Sequence, residues 1–243
     1  MGIRVLSLFD GMGCSRIALE ELGIKVDRYY AAEIDKNAIA METLNFPDTV
    51  CLGDVTKVDA RKLGHIDFLM GGSPCTDLSM AGTRRGLSTV DKQEILSLEQ
   101  YLQLKDEGFQ FAGESFLFWE YVRIKNELLE TNPNLIWFLE NVEMGEKWES
   151  VFNNIMGITG VHVNSALVSA QNRRRIYWTN IKTKTEGLFG WTVPDIPQLE
   201  DRGIMLADIL EDEVDAKYYL KDEVVDKLLA NGVKGAEKDV VLP

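Results

Sequence analysis

The chain has 243 residues, of which 45% are hydrophobic and 27% are charged, so its composition is that of a folded globular protein and excludes extensive disorder. Its length predicts one large domain, or one domain with an extension. No apolar run approaches the ~20 residues of a membrane span, and the N-terminus shows no signal-peptide pattern. Three cysteines and two histidines are too few for a disulfide framework or a zinc cluster. Unpaired thiols predict a reducing, cytoplasmic compartment.

The net charge of -13 argues by itself against a nucleic-acid partner, because contacts with phosphates require local positive charge. The charge is unevenly distributed, however. Residues 195–243 hold 13 acidic and 6 basic residues, whereas basic residues cluster at 84–85 and 173–175. The placement of these clusters decides more than the total, so nucleic-acid binding stays open at this point.

Strand-like and helix-like segments alternate along the first part of the chain. We predict helices over 14–22, 35–45, 115–129 and 147–156, and strands over 3–9, 26–32, 49–52, 66–70, 135–139, 161–169 and 176–181. Continuous apolar strands that alternate with helices predict βαβ units, and hence an α/β fold with a doubly wound, largely parallel sheet.

Two segments depart from this alternation. Residues 87–113 are polar and mixed in charge, and we interpret them as an inserted loop with a helix near 92–105. Residues 191–197 are turn-rich, and 205–229 are acidic and helix-prone. The predicted organisation is therefore a main domain over 1–194, with the insertion at 87–113, and an acidic C-terminal extension over 195–243.

Ligands of such sheets bind at the carboxyl ends of the strands. The first strand ends in a glycine turn at 9–13 that lacks the third glycine of the dinucleotide fingerprint, since Arg16 stands there. Glu33 ends the second strand and can accept ribose hydroxyls, and Asp54 follows the third strand and can accept from an adenine amino group. Each feature alone is also compatible with a plain turn or a solvated acid. Together they predict a nucleoside site without a phosphate cradle, which suits S-adenosylmethionine.

Cys75 lies in a turn of glycine, serine and proline that follows the strand at 66–70. Most lone cysteines are small buried hydrophobic residues, and we interpret Cys14 and Cys51 in that way. Cys75 instead lies at the mouth of the sheet, where a thiol can act as a nucleophile if neighbouring charge helps it to ionise. Neither His65 nor His162 is placed to do so, and the arginine cluster is the better candidate.

Glu140 follows the strand at 135–139 and so lies at the same edge, where it can donate or hold a proton. The alternative is a glutamate that caps the next helix. In an extended 173–175 segment, Arg173 and Arg175 point to one side and Arg174 to the other. Two guanidinium groups on one face suit a flipped base or its phosphate, and the alternative is a solvated basic edge that blocks strand pairing.

In this order, these segments resemble the cytosine-C5 DNA methyltransferase family over nearly all of residues 3–181. The matching pieces are Phe9-Asp10-Gly11-Met12-Gly13, Glu33, Asp54-Val55, Pro74-Cys75, Leu117-Phe118-Trp119, Glu140-Asn141-Val142 and Gln171-Asn172-Arg173-Arg174-Arg175. Residues 73–79 are most similar to the eukaryotic de novo-type branch, because a polar pair follows the cysteine where most bacterial members have glutamine. The resemblance implies the class I S-adenosylmethionine-dependent methyltransferase fold, which is Rossmann-like.

The resemblance also implies roles for individual residues. Cys75 would attack C6 of cytosine, Glu140 would hydrogen-bond N3 and the exocyclic amine, Arg175 would contact the O2 side, and Arg173 would help to hold the base or the nucleophile. The residues implied to bind S-adenosylmethionine are Phe9, Asp10, Gly11, Met12, Gly13, Glu33, Asp54, Val55, Pro74 and Leu117. The implied substrate is double-stranded DNA with a flipped cytosine, with no metal and no membrane, in a bacterial or phage-encoded protein.

Two departures from the family pattern leave alternatives open. The insertion at 87–113 lies where family members carry the loop that closes over the base, so the contacts of Arg84 and Arg85 are undecided. No target-recognition region or Gly-Asn-Ser-Val-like motif is found up to residue 243. We therefore expect a truncated chain, one half of a split enzyme completed by a second chain, or a degenerate relative. A tRNA cytosine-C5 methyltransferase and a non-catalytic subunit that retains the fold are the competing functions.

Overall fold

The computed structural model describes residues 2–78, 86–188, 190–197 and 199–232, and its centre is a seven-stranded sheet in the order β3-β2-β1-β4-β5-β7-β6. Five neighbouring strands are parallel, and β7 is antiparallel to both β5 and β6. The strands are β1 (Ile3–Leu8), β2 (Val26–Ala32), β3 (Val50–Cys51), β4 (Phe68–Gly72), β5 (Ile136–Val142), β6 (Val161–Asn164) and β7 (Arg174–Thr179), with a separate hairpin of β8 (Thr183–Glu186) and β9 (Trp191–Pro194). The helices are α1 (Cys14–Glu21), α2 (Lys36–Asn45), α3 (Leu98–Asp106), α4 (Phe118–Thr131), α5 (Glu146–Met156) and α6 (Asp222–Gly232).

Both faces of the sheet are covered, which confirms the predicted doubly wound α/β fold. Along β1, Val5 belongs to one apolar cluster, whereas Leu6 and Leu8 belong to another. Because successive side chains of a strand point to opposite faces, the two clusters lie on the two sides of the sheet. Leu19 of α1 packs into the first cluster, and Phe118 of α4 packs into the second. This double burial explains why the strands are continuous apolar runs.

Helix starts follow the local sequence. Asp35 caps α2, as the pattern indicates, and its carboxylate accepts from the backbone N–H groups of Asn37 at 2.8 Å and Ala38 at 2.9 Å. Ser97 caps α3 in the same way, through Gln100 N–H. Helix α5 ends at its C-terminus where Gly157 adopts a left-handed conformation with φ of 71°.

The segment 87–113 packs against the rest of the domain and contains a helix, as predicted. Its helix begins at Leu98 and not near 92, because Lys92 turns the chain with φ of 67°. Tyr101 and Leu104 of α3 are buried, and Phe111 stacks on Phe116 with ring centroids 4.6 Å apart. The apolar residues of this segment are widely spaced among polar ones, so composition alone hides its contribution to the core.

Other element bounds also differ from the prediction. The strand predicted over 161–169 ends at Asn164 and continues as a 3-10 turn over 165–167. The turn-rich 191–197 segment contains β9, which pairs with β8. In the helix-prone 205–229 segment, the α-helix begins only at Asp222, and every side chain over 205–230 is exposed. A helix without packing partners is marginal in water, which accounts for the shorter helix.

Within the described ranges, no helix is long and apolar enough to cross a bilayer.

Candidate active site

The register of the sheet brings the predicted catalytic residues to one edge. Gly72 at the end of β4 pairs with Glu140 in β5, and Arg175 at the start of β7 pairs with Val142. Because β7 is antiparallel to β5, its first residues lie beside the last residues of the parallel strands. Cys75 follows β4 after two residues, so its loop leaves the sheet at the same edge.

Glu140 lies between two guanidinium groups. Its Oε1 is 2.8 Å from Arg175 Nε and 3.5 Å from Arg173 Nη2, and its side chain is 24% exposed. Arg173 and Arg175 reach the same carboxylate, as the alternation of side chains predicts. The β7 segment therefore places two positive charges and one negative charge within a few ångströms of each other.

The residues that flank Glu140 restrict its position. A Cβ added at Gly72 would lie 2.9 Å from Glu140 Oε2, so the absence of a side chain there allows the carboxylate to approach the strand. Asn141, the next residue, is buried and donates through Nδ2 to Ser73 O at 3.1 Å and Ser73 Oγ at 2.9 Å. These bonds attach the end of β5 to the loop that carries Cys75.

Cys75 is half-buried beside this cluster. Burial raises the pKa of its thiol above the usual range; the positive charge of Arg175 lowers it, the charge of Glu140 raises it, and that of Arg173 lowers it. The arginines thus favour the thiolate as predicted, but burial outweighs them in the protein without ligands.

The prediction for Cys14 and Cys51 is wrong, because both are exposed. Cys14 begins α1 and Cys51 lies on the edge strand β3, where neither side chain faces the core.

Both histidines pair with carboxylates. His65 Nε2 is 3.0 Å from Asp67 Oδ1, and His162 lies between Glu149 at 3.0 Å and Glu143 at 3.4 Å. The expectation that neither histidine serves Cys75 is consistent with these contacts. Among the described residues, no group of three or more His, Cys, Asp or Glu side chains could hold a metal ion.

A cavity of about 510 Å³ opens beside the Cys75 loop, at the ends of β1 and β2. Six of the predicted cofactor-binding residues line it: Phe9, Glu33, Asp54, Val55, Pro74 and Leu117. Five further lining residues were not predicted: Ala32, Ile34, Asp35, Gly53 and Glu114. Four of these are sequence neighbours of predicted residues and could have been found from them. Glu114 could not, because only the packing of the 87–113 segment places it there.

Glu33 supports the cavity wall as well as facing the cavity. Its Oε2 accepts from Gly11 N–H at 2.9 Å, and its Oε1 accepts from the N–H groups of Ile34 at 2.7 Å and Asp35 at 2.8 Å. A carboxylate has about four acceptor sites, so three backbone bonds leave room for about one more donor. Acceptance from a ribose stays a prediction, for which this arrangement leaves about one acceptor site free.

Asp54 carries its charge at neutral pH. Burial opposes the charge, but hydrogen bonds from Thr56 and the nearby Lys57 ammonium lower the pKa of Asp54 below its usual range. The Thr56 hydroxyl donates to Oδ1 at 2.7 Å, and Lys57 Nζ is 3.5 Å from Oδ2. Asp54 is thus a fixed anionic acceptor at the cavity wall.

The residues of the glycine turn after β1 lie at different distances from the cavity. Gly11 and Gly13 have φ of 64° and 82°, which suits a sharp turn, but neither they nor Met12 line the cavity, and Met12 is 52% exposed. The Asp10 side chain points into the protein, where Tyr29 donates its hydroxyl to Oδ1 at 2.6 Å. Phe9 of the turn lines the cavity and the Gly11 N–H binds Glu33, while cofactor binding by Asp10, Gly11, Met12 and Gly13 stays a prediction. Arg84 and Arg85 lie outside the described residues.

Beneath this turn lies a buried acid that sequence reasoning missed. Glu42 of α2 is 2% exposed, and burial together with the negative charge of Asp10 raises its pKa to about 7. Arg16 of α1 lies in the same region, over the rings of Tyr29 and Phe46. No motif marks Glu42, because its partner Asp10 is far away in the sequence.

We expect Glu42→Gln to stabilise the protein at pH 8 but not at pH 5. The raised pKa of Glu42 means that the folded state favours the protonated acid. In the wild-type protein, the stability that comes from the protonated Glu42 is complete below the unfolded pKa and is lost as pH rises through about 7. Glutamine stays neutral, so its advantage at pH 8 should be on the order of 2 kcal/mol. Thermal unfolding at both pH values measures it. Glu21→Gln, at an exposed carboxylate of α1, is the control, and an equal effect of Glu42→Gln at both pH values would contradict the expectation.

The chain is similar in sequence to a known family and to several known proteins. A family model described as C-5 cytosine-specific DNA methylase matches residues 3–239. Orphan methyltransferase M.Rho11sI of Bacillus phage rho11s is 34% identical over 98% of this chain and 50% of the relative. Orphan methyltransferase M.SPRI of Bacillus phage SPR is 28% identical over 93% of this chain and 54% of the relative. The putative type II methyltransferase M.BsuMIIP of Bacillus subtilis (strain 168) is 27% identical over 93% and 61%.

The chain spans about half the length of the first of these curated relatives. Among solved structures, that of the S. pombe Dnmt2 methyltransferase superposes with a TM-score of 0.54 at 16% identity, covering 94% of this chain and 66% of the other. At that identity the likeness supports the fold alone. The family model, by contrast, covers almost the whole chain. The chain therefore belongs to the C-5 cytosine-specific DNA methylase family.

Proposed function

We propose that the protein transfers a methyl group from S-adenosylmethionine to C5 of cytosine in DNA, with Cys75 as the nucleophile. The observation that carries this proposal is the grouping of the Cys75 thiol with Glu140, Arg173 and Arg175 at one sheet edge, next to a cavity of about 510 Å³. The relatives named above are methyltransferases, and the family to which the chain belongs is described as C-5 cytosine-specific DNA methylase.

The cavity residues fit the proposed cofactor. Its size is within the range of small-molecule sites, and its walls combine the apolar side chains of Phe9, Val55 and Leu117 with the carboxylates of Glu33 and Asp54. Acidic acceptors suit a ligand with a positive charge, hydroxyls and an amino group, and poorly suit a phosphate. Bound there, S-adenosylmethionine would supply an electrophilic methyl group.

Cys75 activates the substrate in this proposal. C5 of cytosine is a weak nucleophile, and addition of the Cys75 thiolate to C6 forms an S–C6 bond and makes C5 electron-rich. C5 would then take the methyl group as its bond to the sulfonium sulfur breaks, with S-adenosylhomocysteine as the leaving group. A base removes the C5 proton, and elimination of the thiolate restores the C5–C6 double bond. The thiol, whose pKa burial raises in the free protein, must lose its proton before the first step.

The charged residues around Cys75 have complementary roles. With a proton on one oxygen, Glu140 would donate to N3, where negative charge develops as the thiolate adds, and accept from the amino group of the base with its other oxygen. Arg175 and Arg173 hold Glu140 by ion pairs and can turn to the O2 side of the base. The Gly72 backbone restricts the same carboxylate from the other side. The site is thus assembled before the base enters.

Double-stranded DNA is the proposed substrate, and its cytosine must leave the base stack to reach Cys75, at a cost of a few kcal/mol. The net charge of -13 opposes binding to phosphates. We therefore propose that a second chain or segment contributes positive surface to DNA recognition. The experiment therefore has two arms, one with the chain alone and one with the chain co-expressed with a candidate partner.

The test uses a duplex in which 5-fluorocytosine replaces every cytosine. A base cannot remove the fluorine from C5 as it removes the proton, so the last step is blocked. With S-adenosylmethionine present, we expect a stable protein–DNA adduct that peptide mass spectrometry assigns to Cys75. Competition with unmodified duplex DNA should reduce the adduct more than competition with tRNA. No adduct in either arm would exclude the covalent mechanism, and stronger competition by tRNA would make RNA the substrate.

A further inference from the structure

Asp77 connects the nucleophile loop to the wall of the cofactor cavity. It lies two residues after Cys75 and is 3% exposed. Its Oδ2 accepts from the N–H groups of Glu114 at 3.1 Å and Ser115 at 3.3 Å, and its own N–H donates to Ser115 Oγ at 3.1 Å. Three hydrogen bonds therefore join segments that are 37 and 38 residues apart in the chain.

The contact between these two segments is unusually close. Gly113 has φ of 62°, and a Cβ there would lie 2.0 Å from Asp77 Oδ2, so the backbone passes directly against the carboxylate. Ser115 begins a 3-10 turn that continues into α4, and the first N–H groups of such a turn have no partner within it. A buried carboxylate satisfies them with charge-assisted bonds, which are stronger than neutral ones.

Both ends of this connection reach functional groups. Pro74, which precedes Cys75, lines the cavity from one side, and Glu114 and Leu117 line it from the other. A ligand in the cavity would therefore contact both segments that Asp77 joins. Hydrogen bonds and packing give a physical connection through which a shift of the Glu114 wall would also displace the loop that carries the sulfur.

We propose that Asp77 is a positioning residue that couples occupation of the cofactor cavity to the placement of the Cys75 sulfur. This inference rests on the proposed function of the cavity as the S-adenosylmethionine site. It adds that the nucleophile and the methyl donor are held in register by one buried carboxylate. Asp77 is not among the residues that line the cavity, so it would act through the positions of its neighbours.

The experiment measures alkylation of Cys75 by iodoacetamide in the full chain, by peptide mass spectrometry, with and without saturating S-adenosylhomocysteine. In the wild-type protein, we expect the ligand to slow alkylation of Cys75 about tenfold, a typical strength of coupling between sites. In Asp77→Ala the ligand should still bind, as calorimetry would show, but change the rate less than about twofold. Asp77→Asn keeps an acceptor oxygen and should restore most of the effect.

Thr76→Val is the matched control, because it removes a 3.5 Å contact to the same carboxylate without touching the cavity wall. It should keep the wild-type coupling. If Asp77→Ala does not fold, Ser115→Ala removes only the hydroxyl that accepts from Asp77 N–H and should weaken the coupling. Wild-type coupling in the folded Asp77→Ala protein, or in Ser115→Ala where Asp77→Ala does not fold, would overturn the inference. Failure of wild-type protein to bind S-adenosylhomocysteine would instead refute the cofactor site itself.

Discussion

Replacement of Cys75 by serine is expected to reduce methyl transfer at least about 10⁴-fold, because the loss of an enzyme's nucleophile removes the covalent step on which the rest depends. Serine is similar in size, and the site is half-buried, so the free energy of unfolding should change by less than about 1 kcal/mol. The measurement is incorporation of labelled methyl groups into duplex DNA under single-turnover conditions, with thermal unfolding in parallel.

Cys51→Ser is the matched control, since it removes a thiol from an exposed position on the edge strand β3. It should retain wild-type methyl transfer. The Cys75→Ser protein should still bind S-adenosylhomocysteine, because the cavity is lined by other residues. If Cys75→Ser transferred methyl groups within about tenfold of the wild-type rate, the covalent mechanism would be excluded for this site.

Glu140→Gln should have opposite effects on methyl transfer and on thiol reactivity. Methyl transfer should fall about 10²- to 10³-fold, because the amide cannot stabilise the charge that develops on the base as the carboxyl group can. In the free protein, however, the Cys75 pKa should fall, since the charge of Glu140 raises it and Arg175 and Arg173 lower it. The midpoint of Cys75 alkylation against pH should therefore shift to lower pH, with faster alkylation at neutral pH.

Glu143→Gln serves as the control for this pair of measurements. Glu143 lies three residues further along and interacts with His162 at 3.4 Å, outside the cluster around Cys75. Its replacement should leave both the methyl-transfer rate and the alkylation midpoint unchanged. A rise in the alkylation midpoint of Glu140→Gln would show that the carboxylate does not face the thiol as the geometry indicates.

Much of the site follows from local sequence properties. Alternating apolar segments predict the parallel sheet, and the sheet in turn predicts that Glu33, Asp54, Cys75 and Glu140 meet at the carboxyl ends of the strands. The alternation of side chains in an extended segment predicts that Arg173 and Arg175 face the same way. These inferences succeed because strand period and strand direction are properties of short segments.

Other features depend on contacts between distant segments. The sequence indicates that Cys14 and Cys51 are buried, but their exposure depends on what packs against α1 and β3. The raised pKa of Glu42 requires α2 to place it beside Asp10. The role of the 87–113 segment was likewise hidden, because its buried residues follow no regular period and its polar residues dominate its composition.

The amino-acid sequence by itself determined the α/β fold class, the edge of the sheet at which the chemistry lies and the residue types that can perform it. Only the tertiary structure decided that Asp10 points away from the cavity, that Glu114 joins its wall and that Asp77 links that wall to the nucleophile loop. The physical reason is that period and turn preference act over a few residues. The distance between two side chains far apart in the chain, by contrast, depends on the packing of every element between them.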